Sequence, residues 1–202
     1  MKKIFALIMG LILFPLSAQA VDFKEGVHYE VVKQAATATP EVKEFFSFYC
    51  PHCFKFEPLM DNLKQQLPEQ VAIKKVHVNF LGKEMGPELT LAYAAAEILQ
   101  VEDKLSSLIF DQIHTQEKNI NGREGVIELF EKAGISKQEA AGALASFPVS
   151  GIAAQMKRDT ETFAIRGVPT LIVNGKYKVN TGSVRSNKEF VELVTFLTQK
   201  KG

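Results

Sequence analysis

The sequence predicts an α/β protein in which one sheet domain is interrupted by a block of helices. Two patterns carry that reading. Strand-like segments, alternating or rich in β-branched and aromatic residues, occur before Leu81 and return after Pro169. Between Leu81 and about Met156 the apolar residues recur at helical spacing, with no convincing strand. A third observation concerns chemistry. The chain's two cysteines, Cys50 and Cys53, are separated by Pro51 and His52 at the point where an aromatic strand pattern gives way to a helical one.

The N-terminus comes first in order. Met1-Lys2-Lys3 precedes an apolar run from Ile4 to Leu16 and a small-residue end, Ser17-Ala18-Gln19-Ala20. A basic start, an apolar segment short for a bilayer and a small-x-small site predict a secretory signal over residues 1–20, with Val21 as first mature residue. Pro15 and the Ala-Gln-Ala end favour cleavage over a retained anchor, and the bacterial look of the segment makes the periplasm the expected destination. Removing it leaves 182 of the 202 residues, enough for a substantial core, and turns the net charge from +1 to −1 by taking away Lys2 and Lys3. With no basic stripe, nucleic acid is not an expected partner. No later segment is apolar enough to span a membrane, so the mature chain is expected to be soluble.

Val27 to Val32 reads as a short strand, closed by Thr37-Ala38-Thr39-Pro40, and Val42 to Tyr49 as a phenylalanine-rich second strand. Cys50 to Leu67 has helical spacing through Phe54, Phe56, Leu59, Met60 and Leu63, and Pro68 stops it. Val71 to Phe80 alternates as a third strand. "ELTLAYAAAEIL", "VEDKLSSLIFDQIH" and "REGVIELFEKAG" are helical, the last with Gly134 as C-cap. Ser136-Lys137-Gln138-Glu139 fits a capping box. A further helix carries Val149, Ile152, Ala153, Met156, Thr160 and Phe163 on one face. Thr170 to Val173 is a strand, Asn174-Gly175 signals a type I′ hairpin into "KYKV", and an amphipathic helix follows with Phe190, Val191, Leu193, Val194 and Leu197 inward. Residues 21–80 and 157–202 are thus expected to form the sheet domain and residues 81–156 the inserted helical domain.

The Cys-Pro-His-Cys pair admits three readings. A structural disulfide would close a very small loop and constrain little of the unfolded chain. A zinc site needs about four ligands, and His28, His52, His77 and His114 form no second paired cluster, so no metal or other cofactor is expected. The redox reading has a mechanism. At a strand-to-helix junction, unpaired N–H groups and the positive end of the helix dipole face Cys50. Pro51 suits the first helical turn, and a charged His52 would favour a thiolate. A stabilised thiolate is a good leaving group, which makes a pair that hands its disulfide away. Cys53, a turn further in, is expected to be more buried and less reactive.

"FFSFYCPHC", "HVNF" and "RGVPTLIVNGKY", with the secretory signal, resemble the DsbA family of bacterial periplasmic thiol:disulfide oxidoreductases over essentially the whole mature chain. The resemblance implies a thioredoxin fold with an inserted helical domain, acting as a monomeric donor of disulfides to unfolded or newly secreted cysteine-containing proteins. It implies Cys50 as the exposed, attacked sulfur, Cys53 as its buried partner, and reoxidation by a DsbB-like membrane protein using quinone. Pro169 matches the family's cis-proline, Val168 would offer backbone to an extended substrate segment, and Thr170 occupies a position that tunes redox behaviour. Glu44, Glu57 and Lys75 match charged positions near the family's active site, where they could tune a thiol or relay protons. His77 matches a family histidine near the site but is equally a candidate for a structural hydrogen-bonding role; His28 and His114 are read as ordinary. Two other readings compete. A periplasmic isomerase would add an N-terminal dimerisation domain, for which Cys50, only thirty residues into the mature chain, leaves no room. A binding protein or chaperone with incidental thiols would keep its activity in a Cys50→Ser variant.

Overall fold

The structure, a computed structural model, describes residues 22–200; the expected signal segment lies outside the described residues. Strands β1 (Tyr29–Val31), β2 (Glu41–Phe46), β3 (Ala72–His77), β4 (Thr170–Val173) and β5 (Tyr177–Val179) form one sheet in the order β1-β5-β4-β2-β3. β2 and β3 are parallel and the other neighbours antiparallel. Helix α1 (Pro51–Gln66) joins β2 to β3, and α7 (Asn187–Gln199) closes the chain. Five helices intervene between β3 and β4: α2 (Met85–Leu99), α3 (Glu102–Phe110), α4 (Gly122–Ala133), α5 (Lys137–Leu144) and α6 (Phe147–Thr162).

The sheet's two faces follow from strand alternation. Val42 of β2 and Leu171 and Val173 of β4 pack with Met60 and Leu63 of α1 and Phe190, Leu193, Val194 and Leu197 of α7. Phe45 and Ile172 face the opposite way, into a core shared with the helical block. Phe45 meets Phe163 there at a ring-centroid distance of 5.7 Å, and Lys43 bonds Asp159 of α6 at 2.7 Å. At the centre of the block lies α2, where Leu89, Ala92, Tyr93, Ala94, Ala95 and Ala96 are all buried. Its alanines let neighbouring helices approach closely and bury area with little side-chain entropy lost.

Three strands are shorter than the alternation predicts. β2 ends at Phe46 because Val78 N–H donates to Phe46 O (2.8 Å) as the last bond to β3, and Cys50 N–H then turns back to Ser47 O (3.0 Å). β3 ends at His77 before a bend in which Gly82 has φ +80°, and where a Cβ would overlap the Tyr49 ring. β1, an edge strand, pairs with β5 over three residues rather than the six expected. In α1, Pro58 interrupts the hydrogen-bond ladder without ending the helix, its exposed position lying opposite buried Cys53, Met60 and Leu63.

The punctuation residues act as the sequence predicts. Asn174 and Gly175 take φ values of 51° and 64°, and Lys176 N–H closes the turn on Val173 O at 3.0 Å. Buried Asn174 also accepts Glu41 N–H (3.1 Å) and donates to Leu197 O and Thr198 O (3.1 and 3.0 Å), tying the hairpin to β2 and to the end of α7. Gly134 ends α4 at φ 100°, and Ser136 Oγ accepts Glu139 N–H at 3.3 Å to open α5. The helix "VEDKLSSLIFDQIH" divides: α3 stops at Phe110, and Asp111–Thr115 forms a π-helical turn.

Candidate active site

The site is built on the turn Ser47–Cys50. Tyr49 N–H donates to Ser47 Oγ (3.2 Å), and the Cys50 N–H bond to Ser47 O completes the turn. Pro51 then occupies the first helical position, where its missing N–H leaves no partner wanting. Cys50 is the N-cap of α1: its Sγ accepts Cys53 N–H at 3.3 Å, the place a serine or aspartate oxygen takes at other helix starts. Phe54 N–H donates to Cys50 O at 3.1 Å and begins the helical ladder. One first-turn donor, Cys53 N–H, therefore meets a sulfur at the helix start, and an anion there has both that hydrogen bond and the helix dipole.

Cys50 and Cys53 are unlinked and differ in access: Cys50 is 6% exposed and Cys53 fully buried. The attacked sulfur is thus less open than the resemblance implies. Cys50 Sγ donates to Val168 O at 3.4 Å, so the segment before β4 partly covers it. Burial pushes the Cys53 thiol well above its ordinary range; a backbone hydrogen bond from Ser47 opposes this in part, while the Cys50 sulfur and the Glu44 charge add to it. The two sulfurs have unlike surroundings, one at the start of a helix with a backbone N–H donating to it and one in an apolar interior.

The Val168-Pro169 peptide bond is cis. Thr170 opens β4 opposite Phe45 of β2, its Oγ1 donating to Gly167 O at 2.8 Å. His52 is exposed on the first turn of α1. The structure thus brings Cys50, Cys53, Pro51, His52, Val168, Pro169 and Thr170 to one end of the sheet.

Glu44, Glu57 and Lys75 come together beneath that end. Glu44 is fully buried, and Lys75, its register partner across the parallel pair, lies 3.3 Å from Glu44 Oε2. That contact lacks hydrogen-bond geometry, so both Glu44 carboxylate oxygens have no hydrogen-bond donor. Lys75 instead donates to Glu57 Oε1 at 2.5 Å and sits 4.6 Å from the centre of the Phe46 ring. Burial raises the Glu44 pKa from 4.5 to about 7, with Lys75 pulling it down and Glu57 pushing it up. Burial works against the Lys75 charge, but the two carboxylates outweigh it and hold its pKa above the ordinary value. A cavity of about 360 Å³ between α1, β3 and the helical block is lined by Glu57, Lys75, Tyr93 and Glu97 and reaches this cluster.

Two histidines hold the turn itself. His77 Nδ1 lies 2.8 Å from Thr90 Oγ1, whose own proton goes to Gly86 O at 3.0 Å. His77 Nδ1 must therefore carry a hydrogen and Nε2 must accept, which it does from Phe48 N–H at 3.2 Å. The ring is fully desolvated, which lowers its pKa from 6.5 to about 3 and keeps it neutral. Gly86 is required beside it, since a Cβ there would overlap the carbonyls of Leu81 and Asn79. His114, read as ordinary in the sequence, places Nε2 2.8 Å from Phe48 O; no local pattern signals a contact sixty-six residues away.

The family model for a DSBA-like thioredoxin domain matches residues 41–188. Over an alignment of 210 positions that spans the full length of both chains, the sequence is 39% identical to thiol:disulfide interchange protein DsbA of Pectobacterium carotovorum and 38% identical to that of Escherichia coli. The fold matches the crystal structure of the disulfide oxidoreductase DsbA from Proteus mirabilis with a TM-score of 0.80 at 33% identity, over 89% of this chain and 98% of that one. It matches DsbA of Klebsiella pneumoniae with a TM-score of 0.83 at 28% identity, over 90% and 100%. With the thioredoxin-like sheet, the inserted helices and the paired cysteines at the start of α1, these likenesses settle the family: the chain belongs to the DsbA thiol:disulfide oxidoreductases.

Proposed function

We propose that the chain acts as a dithiol oxidase, donating a Cys50–Cys53 disulfide to unfolded or newly secreted cysteine-containing proteins in the bacterial periplasm, after removal of residues 1–20. The observation that carries this is the placement of Cys50 Sγ as the cap of α1, 3.3 Å from Cys53 N–H, above a fully buried Cys53. In the oxidised protein a substrate thiolate attacks Cys50 Sγ and the Cys50–Cys53 bond breaks, its electron pair leaving on Cys53. A second substrate thiolate attacks the substrate sulfur of the mixed disulfide, forming the substrate disulfide and expelling Cys50 as a thiolate. Two substrate thiols are oxidised, the enzyme disulfide is reduced, and one of the two protons released is retained on Cys53.

The surroundings fit each step. The α1 N-terminus and exposed His52 stabilise the departing Cys50 anion. Burial makes Cys53 a poor anion, so its displacement calls for prompt protonation. Glu44, with a pKa of about 7, can give that proton near neutral pH, and Lys75 and Glu57 link it to the cavity through which protons exchange. Val168 presents backbone to an extended substrate segment, with Pro169 and Thr170 shaping the same edge. A cavity of about 400 Å³ is lined by Phe80, Ala164, Ile165 and Arg166, the last standing two residues before Val168 in the chain, and Phe80 is 45% exposed. A variant of Proteus mirabilis DsbA binds the cysteine-containing peptide PWATCDS non-covalently, which supports a peptide-sized substrate here. The reoxidant is proposed to be a DsbB-like, quinone-linked membrane protein. Residues 21–80 and 157–202 are proposed as the thioredoxin-like domain and 81–156 as the inserted one. Among the described residues no helix is long and apolar enough to cross a membrane.

Mixing the oxidised protein with a reduced two-cysteine peptide tests the reading. One peptide disulfide should form per Cys50–Cys53 pair consumed, by alkylation and mass spectrometry. A peptide that stays reduced while the protein stays oxidised would rule it out.

A further inference from the structure

Phe48, two residues before Cys50, is buried, and imidazoles hold both polar atoms of its backbone. Its N–H goes to His77 of β3 and its carbonyl accepts from His114 Nε2 at 2.8 Å, from the helical insertion. The His114 ring also stacks on Phe54, the residue after Cys53, at 5.2 Å and an interplanar angle of 12°. One side chain of the insertion thus touches the chain just before and just after the cysteine pair.

The backbone of the insertion departs from regularity where it delivers this contact. Gln116 N–H bonds Asp111 O at 2.9 Å, a five-residue reach that makes Asp111–Thr115 a π-helical turn. A π-turn carries one more residue per hydrogen-bonded ring than an α-turn, so a side chain within it lies off the line that α-helical spacing would give it. His114 lies within this turn, which aims it at the Phe48 carbonyl and the Phe54 ring.

We infer that His114 is a positioning residue for the redox pair, setting the balance between dithiol and disulfide through its hydrogen bond to Phe48 O. The dithiol form depends on Cys53 N–H meeting Cys50 Sγ, and that meeting depends on how the turn delivers Cys50 to the helix start. Without a donor, the buried Phe48 carbonyl would present an unneutralised negative dipole next to the turn and leave the turn freer to move. Both changes disfavour a thiolate on Cys50 and shift the balance toward the disulfide. The inference rests on Cys50–Cys53 being the working pair.

The test uses full-length mature protein and three versions of position 114. His114→Phe keeps a ring to stack on Phe54 but has no donor; His114→Gln keeps an amide donor for the same carbonyl. Each is equilibrated with reduced and oxidised glutathione, and thermal unfolding of the reduced form is recorded alongside. The expected result is a shift of the His114→Phe equilibrium toward disulfide by about fivefold, the size of one buried hydrogen bond, with His114→Gln within about twofold of the parent. A His114→Phe equilibrium equal to the parent's, even with lowered stability, overturns the inference. So does a His114→Gln protein displaced as far as His114→Phe. A parent that does not exchange with glutathione at all would instead overturn the dithiol reading beneath it.

Discussion

Replacing Cys50 with serine is expected to reduce disulfide transfer to the uncatalysed background. The hydroxyl can cap α1 as the sulfur does, accepting Cys53 N–H, so the fold should persist. What disappears is the sulfur that the substrate attacks, together with the only intramolecular disulfide the chain can form, since Cys50 and Cys53 are its two cysteines. Cys53→Ser should behave differently. Offered a peptide disulfide, the Cys50 thiolate, still at the helix start, should attack one sulfur, expel the other as a thiolate and hold the peptide as a mixed disulfide that persists, because no neighbouring thiol remains to resolve it. Non-reducing electrophoresis and mass spectrometry of the trapped adduct distinguish the two variants. Full activity in Cys50→Ser would contradict the redox account and favour a binding protein or chaperone with incidental thiols.

The second large effect is on stability and its pH dependence, through His77. Its folded pKa of about 3 lies below the ordinary 6.5, so between those values the unfolded chain binds a proton that the native one does not. The His77 contribution is therefore fully present above pH 6.5 and is lost as pH falls toward 3. Glu44 has the opposite sign. Its folded pKa is raised from 4.5 to about 7, so its burial is best tolerated below pH 4.5 and costs stability as pH rises through 7. Glu97, raised to about 7 by burial and by Glu102, adds to the Glu44 trend. His77→Ala should lower the stability of the reduced protein by about 3 kcal/mol near neutral pH, because Phe48 N–H loses its acceptor and the rings of Phe46 and Phe48 lose a neighbour. The same variant should flatten the acid limb between pH 6.5 and 3, while Glu44→Gln should flatten the decline through pH 7. Denaturant unfolding of the reduced protein across pH measures both, and an unchanged acid limb in His77→Ala would contradict the assignment of a neutral, doubly bonded imidazole.

Much of this arrangement can be read from local pattern. The cysteine pair at a strand-to-helix junction, the Asn174-Gly175 turn, the Gly134 stop and the apolar face of α7 each depend on neighbours within a few residues, and each stands where its pattern put it. Strand ends are different. Val42 to Tyr49 is rich enough in aromatic residues to read as strand throughout, but pairing stops where the β3 ladder runs out, and that limit belongs to the partner. Glu44, Glu57 and Lys75 could each be singled out, yet the Lys75 contacts with both carboxylates depend on a parallel register and on the rotation of α1. The cis state of Val168-Pro169 and the reach of His114 across to Phe48 are tertiary facts with no local signature. The burial of Glu41, bonded by Lys74 at 2.8 Å, is of the same kind.

On the proposed mechanism, the start of α1 holds the Cys50 sulfur better as an anion than as half of a disulfide. Equilibrating the mature protein with mixtures of reduced and oxidised glutathione measures this most directly, with the two redox forms quantified after acid quenching. The dithiol form should predominate even where oxidised glutathione is in excess. A protein that remains crosslinked when reduced glutathione is in excess would contradict it.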